Sequence, residues 1–401
     1  MYSMHFSFMS QFRTELRSIL TGYPDFVFEN KPHELAGCIP VFVFHSIDPD
    51  AFEAQLVYLK RNGYRTLSAD ELATCIEGRE ECGQRSVLLT VDDGRSSFWR
   101  FGYPLLEKHG MKAVLFIIPG ITPKGDVLRP NLMNVWEGET SFEELQKADP
   151  QDETICNWPE IRQMYASGLV SVESHTLFHK EVFVSPRLVG FINSRTSFVP
   201  FRSPITAYLE PEDAGVEPDR EKYHGLPLFE PAPLMQGLPA LKIPKEMLDH
   251  CRDAFRHAKA RGLEKRDGWM KALREEITRN SFATSPSFQS RAEVQEAILR
   301  DLQTAAELIH REVHHEAGNH LCLPFTVGSR LAVDAARRLG MRSCFWGIIG
   351  GRPINRIGDD PLHLVRIKQD FIWRLPGTGR KSLHTVYGMK TLRRLKGEAI
   401  F

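Results

Sequence analysis

The chain has 401 residues, 42% of them hydrophobic, with 51 basic and 51 acidic side chains. That length supports one large core plus an insertion, and formal neutrality argues against the basic footprint of a nucleic-acid binder. No uninterrupted apolar run reaches membrane-spanning length, and the start, Met1-Tyr-Ser-Met-His-Phe-Ser-Phe-Met9, lacks the basic opening and long apolar stretch of a secretory signal. Seven scattered cysteines without a Cys-x-x-Cys predict reduced thiols rather than a disulfide framework, so a cytoplasmic protein is the expectation.

Candidate strands at about 39–44, 86–91, 113–118, 169–173, 320–323, 342–347 and 363–367 alternate with amphipathic helices, the pattern of a parallel sheet or barrel. The first, Ile39-Pro-Val-Phe-Val-Phe44, ends at His45-Ser46 and leads to a helix around 52–60 that Gly63 closes. Capping boxes pair Ser68 with Glu71, Ser141 with Glu144 and Ser290 with Glu293, and Gly110 and Gly340 close further helices.

Ser86-Val-Leu-Leu-Thr-Val91 is almost wholly apolar and runs straight into Asp92-Asp93-Gly94. Successive strand side chains face opposite ways, so both acids serve one site only if the backbone turns there, which Gly94 tolerates. One acid can then ligate a metal while the other stays free. A second apolar segment, Gly168–Glu173, ends at Ser174-His175-Thr-Leu-Phe-His179. A helix starting there would put His175 and His179 on one face. Two imidazoles and a carboxylate suit Zn²⁺ first, and also accept Co²⁺, Mn²⁺, Ni²⁺ or Fe²⁺. A bound cation lowers the pKa of its water to roughly 7, so that a neighbouring carboxylate such as Asp92 can take the proton.

Between Ser185 and about Thr284 the alternation breaks into a Pro-dense stretch, 199–245, followed by two charged helices at about 246–261 and 268–279. An irregular segment of that length inside an enzyme reads as a lid or binding loop over the mouth of the sheet. The domain reading is an N-terminal extension, 1–36; a core in two segments, 37–184 and 285–375; the insertion, 185–284; and a C-terminal tail, 376–401.

Thr90-Val-Asp-Asp-Gly94 and His175-Thr-Leu-Phe-His179 resemble the first and second motifs of the polysaccharide deacetylases, carbohydrate esterase family four. The opening strand and helix, and Leu321-Cys-Leu-Pro324-Phe325-Thr-Val-Gly328 in place of a Pro-Tyr-Gly segment, extend the likeness. The resemblance implies a distorted, incomplete (β/α) barrel, Asp92 as general base, and Asp93, His175 and His179 as metal ligands. It makes the Phe325 N–H, beside Pro324, the oxyanion donor, a role indifferent to Tyr versus Phe. Arg202-Ser-Pro204 ranks second for that third motif.

The general acid has no clean counterpart, and His45, then His363, then His384 are the candidates. Arg366 and Asp370 can form an ion pair that orients the base, and Trp346 can wall a sugar pocket. The implied reaction is metal-dependent removal of acetyl from an N-acetylated amino sugar in a polysaccharide or its precursor. The implied partners are that carbohydrate and other proteins of exopolysaccharide or capsule assembly. The alternatives are a cytosolic allantoinase-like amidohydrolase acting on a small cyclic amide and a non-catalytic glycan-binding barrel.

Overall fold

The computed structural model describes residues 22–395 except 32, 33, 36, 265 and 280–284. Most of the expected N-terminal extension, the end of the insertion and residues 396–401 therefore lie outside the described residues.

Seven of the eight strands of the central sheet form its main path: β1 (Val41–Phe44), β2 (Ser86–Val91), β3 (Ala113–Ile117), β4 (Val170–Ser174) and, after the insertion strands β5 (Glu181–Phe191) and β6 (Pro227–Pro233), β7 (His320–Cys322), β8 (Ser343–Phe345) and β9 (Ile367–Lys368), while the eighth, Arg65–Thr66, pairs with the start of β2. The spatial order along the path is β8-β7-β4-β3-β2-β1-β9, all parallel. Just ahead of β9, Leu364 pairs in parallel with Phe345 of β8, so the sheet curls until its two edges meet. With seven strands on that path, and the eighth off it, this is an incomplete (β/α) barrel.

The apolar runs explain the closure. Alternate residues point inward and outward, and Val41, Leu88, Val114, Phe116, Cys322, Phe345 and Leu364 form one buried cluster. Leu67, Leu72 and Ile76 join it from helix α1 (Ala69–Ile76) and its approach, while Phe42, Leu89, Val91, Leu115 and Val172 belong to the larger cluster under the helices. Strand ends lie level: Phe44 pairs with Val91, Val91 with Leu115, Ile117 with Ser174 and Ser174 with Leu321. Residues that follow those ends, His45, Asp92 and His175, therefore emerge together on the C-terminal face, where barrels of this type carry their sites.

The 185–284 segment is more regular than its prolines suggest. β5 and β6 form an antiparallel ribbon whose register shifts between Phe183 and Gly190, and β5 starts at Glu181, ahead of the expected boundary at 185. Pro186, Pro231 and Pro233 cannot donate to a ladder, and the shifts erase the period-2 pattern that betrays a strand. Two helices complete it, Lys245–Ala260 and Gly268–Arg279. It packs on loops of the C-terminal face: Phe201 and Val199 cluster with Ile118 and Ile155, and the Gly215 N–H donates to Gly120 O.

One expectation fails on chemistry. Cys75 and Cys82 form a disulfide, because the chain leaving α1 folds back within seven residues, a proximity that spacing alone does not reveal. The cysteines therefore no longer argue for a reducing compartment. Both described termini join the core, through Tyr23, Phe26 and Val27 at one end and Val386 at the other.

Lower in the barrel, Glu173 is buried and accepts a hydrogen bond from the His320 N–H at 2.9 Å. Burial pushes its pKa up to about 7, against a partial lowering by His320. The folded state therefore keeps this proton while the unfolded chain releases it, and stability falls as pH rises from about 4.5 to about 7, by roughly 3 kcal/mol. Relative to wild type, Glu173→Gln is expected to gain about that much between pH 4 and pH 8 in urea unfolding, because the amide has no such proton to lose. An unchanged difference between the two proteins across that range would show that Glu173 ionises normally.

Candidate active site

Asp92 and Asp93 leave β2 in different directions because Asp93 sits at φ 68° and Gly94 at φ 67°. The conditional helix at His175 does not form: Thr176 (φ 65°) and His179 (φ 53°) adopt left-handed conformations in a tight turn. Phe325 (φ 55°) and Thr326 (φ 61°) do the same after β7. Such conformations cost of order 1 kcal/mol or more at non-glycine residues and persist only where the surroundings fix them. Here a fixed acceptor is visible: Asp301, on the helix Arg291–Glu312, takes the Leu177 N–H at 3.1 Å. Burial raises its pKa to about 6.

The turn does what the helix was expected to do. His175 and His179 ring centroids are 4.9 Å apart, and Asp93 Oδ1 lies 3.6 Å from His175 Nε2 and 4.0 Å from His179 Nε2. A tetrahedral ion with bonds of about 2.0–2.1 Å spaces its ligand atoms about 3.3 to 3.4 Å apart, so closing these two gaps by about 0.2 to 0.7 Å would seat one. The tautomer fits too. His175 Nδ1 donates to Cys322 O at 3.0 Å, which turns its Nε2 lone pair towards Asp93. Burial, then the neighbouring His175, push the pKa of His179 down to about 3, so its imidazole is neutral. The residues fit a divalent cation.

Asp92 stands outside that trio. Arg366 grips it through both terminal nitrogens, Nη1 to Oδ1 at 2.6 Å and Nη2 to Oδ2 at 2.9 Å, and Arg366 Nε donates to Trp346 O at 3.3 Å. Burial alone would raise the pKa of Asp92, but the Arg366 guanidinium holds it well below the usual carboxylate range. Arg366 thus contacts Asp92 directly, while Asp370 is buried in the following turn, Gln369–Arg374.

His45 Nε2 is 3.9 Å from Asp92 Oδ2, and burial pushes its pKa down to about 4. The other acid candidates sit elsewhere. His363 stacks on Trp346 and bonds Asp360, and His384 is exposed on the helix Leu383–Leu395. Trp346 is half-buried, stacked on His363 and packed against a buried apolar cluster, and its carbonyl accepts from Arg366. Pro324 is buried, and the Phe325 ring lies 4.4 Å from that of His179. Arg202 is exposed and lies over Phe201.

Three residues escaped the sequence reading. Cys322 lies inside the barrel with Sγ 3.6 Å from Asp92 Oδ2, and burial raises its pKa far above normal, so it is a thiol and donates. Its signal was inward parity with His320 in β7. Asp301 had none. Arg95, next to Asp-Asp-Gly, is 2% exposed and donates to Asp93 Oδ2 from Nε at 3.1 Å and Nη2 at 2.9 Å. A buried cation beside two acids was legible as a charge pattern.

Residues 79–196 match the family model described as polysaccharide deacetylase. YxkH of Bacillus subtilis (strain 168), a protein assigned by name to the polysaccharide deacetylases, is 34% identical over 88 residues, 20% of this chain and 32% of its own. The poly-beta-1,6-N-acetyl-D-glucosamine N-deacetylase of Escherichia coli (strain K12) is 26% identical over 135 residues, 33% of this chain and 18% of its own. The chain thus spans a third or less of the length of these relatives. Among solved structures, a de-N-acetylase from Aggregatibacter actinomycetemcomitans superposes with a TM-score of 0.47 at 17% identity, covering 82% of this chain and 94% of the other. The BpsB deacetylase domain from Bordetella bronchiseptica gives 0.48 at 14%, covering 84% and 97%. Among the described residues no helix is long and apolar enough to cross a membrane.

Proposed function

This chain carries a polysaccharide deacetylase domain, and from that premise we propose that it removes acetyl groups from N-acetylated amino sugars of a polysaccharide or its precursor, using a divalent cation, with Zn²⁺ the first choice. The observation that carries this reading is the meeting of Asp93, His175 and His179 around one point, with Asp92 beside them and held by Arg366. When bound, the cation supplies Lewis-acid polarisation and a lowered pKa for water.

The chain's own groups do the rest. Arg366 keeps Asp92 ionised, so that its carboxylate is ready to accept a proton from water at neutral pH. The Phe325 N–H donates to the oxygen of the amide as charge develops there. His45, 3.9 Å from Asp92 and neutral at pH 7, donates to the departing amine once the proton that Asp92 takes from water has passed to it. β-1,6-linked N-acetylglucosamine oligomers are the first substrates to try, because relatives carry that name. Partner proteins of exopolysaccharide assembly and a cytoplasmic location belong to the same proposal.

The test is acetate release from a panel of β-1,6- and β-1,4-linked N-acetylglucosamine oligomers by metal-reconstituted protein. Release above background, abolished by chelation and restored by Zn²⁺ or Co²⁺, is the expected result. Metal binding with no acetate from any glycan would move the assignment to a small-ring amidohydrolase, and neither metal nor turnover would move it to a glycan-binding barrel.

A further inference from the structure

Arg95 joins more of the molecule than Asp93. Two of its nitrogens hold Asp93 Oδ2, leaving Oδ1 as the oxygen that faces both imidazoles. Its Nη1 donates to Ser46 Oγ at 3.0 Å, next to His45 at the end of β1. Its planar face is covered by the ring of Phe201, 4.0 Å from the guanidinium carbon. Phe201 belongs to the insertion and is 3% exposed, packed with Val199, Ile118 and Ile155.

A guanidinium stacked on an aromatic face and out of water has little freedom, and its fork then fixes the carboxylate it holds. We infer that Arg95 is a positioning residue for Asp93, presenting it to the cation through one oxygen, and that the insertion sets this presentation through Phe201. The insertion is thus part of the metal site's construction as well as a cover for the barrel mouth. This inference rests on the reading of Asp93 as a metal ligand.

Outer partners of ligating side chains typically govern about 10- to 100-fold in metal affinity. The experiment is metal affinity of the full chain, stripped and then titrated with Zn²⁺ in competition with a chromophoric chelator, for wild type, Asp93→Asn, Arg95→Gln, Phe201→Leu and the Arg95→Gln/Phe201→Leu double variant. Arg95→Gln is expected to weaken binding about 10- to 100-fold. Phe201→Leu, which keeps an apolar side chain in place but removes the aromatic face, is expected to weaken it several-fold. The double variant should bind no more weakly than Arg95→Gln alone, because both act through one contact. Should Arg95→Gln fail to fold, Phe201→Leu decides: wild-type affinity there overturns the inference, as does wild-type or tighter binding by a folded Arg95→Gln. If Asp93→Asn binds like wild type, the ligand reading itself is wrong, which is a different result from loss in Asp93→Asn with no effect at Arg95 and Phe201.

Discussion

Asp92→Asn is expected to retain its metal and to lose acetate release by about 10²- to 10⁴-fold, the range that a positioned proton acceptor contributes. Retention follows from geometry, since Asp93, His175 and His179 converge without Asp92. Loss follows from charge. Asparagine keeps an oxygen for Arg366 but cannot take a proton from water. Turnover number and metal-to-protein ratio measured on the same preparation check both halves. Loss of metal along with activity would make Asp92 a ligand, and activity within tenfold of wild type would remove it from the proton transfer.

Arg366→Met should be the most damaging single change to stability near the site. Asp92 and Arg366 are 2% exposed, and removing one member of a buried pair leaves an uncompensated charge at a cost of about 3–5 kcal/mol. Sign matters here. Because Arg366 depresses the pKa of Asp92, the pair's contribution is present above the carboxylate's unfolded value of about 3.8 and is lost as pH falls through the lower folded value. In Arg366→Met burial acts without that opposition, so Asp92 holds its proton to higher pH. Urea unfolding of metal-free protein at pH 7 should show the loss, and the acid limb of the pH–rate profile should move upward. A limb that stays in place would separate Asp92 from the profile.

Asp92 and Arg366 were unequally legible in the sequence. Asp92 was legible because a wholly apolar run, Ser86–Val91, ends at it, and charge at a strand end marks the place where a chain leaves a core. Arg366 was legible as a charge within the candidate strand 363–367, but its partner was not, for 274 positions separate it from Asp92 and only the pairing of β9 with β1, beside β2, brings them together. Asp370 was the nearer acid in sequence. The helix expected at His175 rested on spacing alone, and left-handed residues at Thr176 and His179 met the same need by a turn. Local propensity disfavours such residues, so nothing local announces them. Insertion strands were hidden by proline, which breaks the very periodicity that identifies strands.

The sequence by itself determined the alternation of strands and helices, the caps that start the helices, and the side chains able to bind a cation and accept a proton. Those properties are local: burial patterns, capping chemistry and ligand type are written in consecutive residues. Tertiary structure alone decided which atoms meet. Closure of the sheet at Leu364 and Phe345, the grip of Arg366 on Asp92, the Arg95–Phe201 stack and the Cys75–Cys82 bond all depend on where distant segments are carried. Packing of one whole core fixes those positions, and no single stretch of chain contains that information.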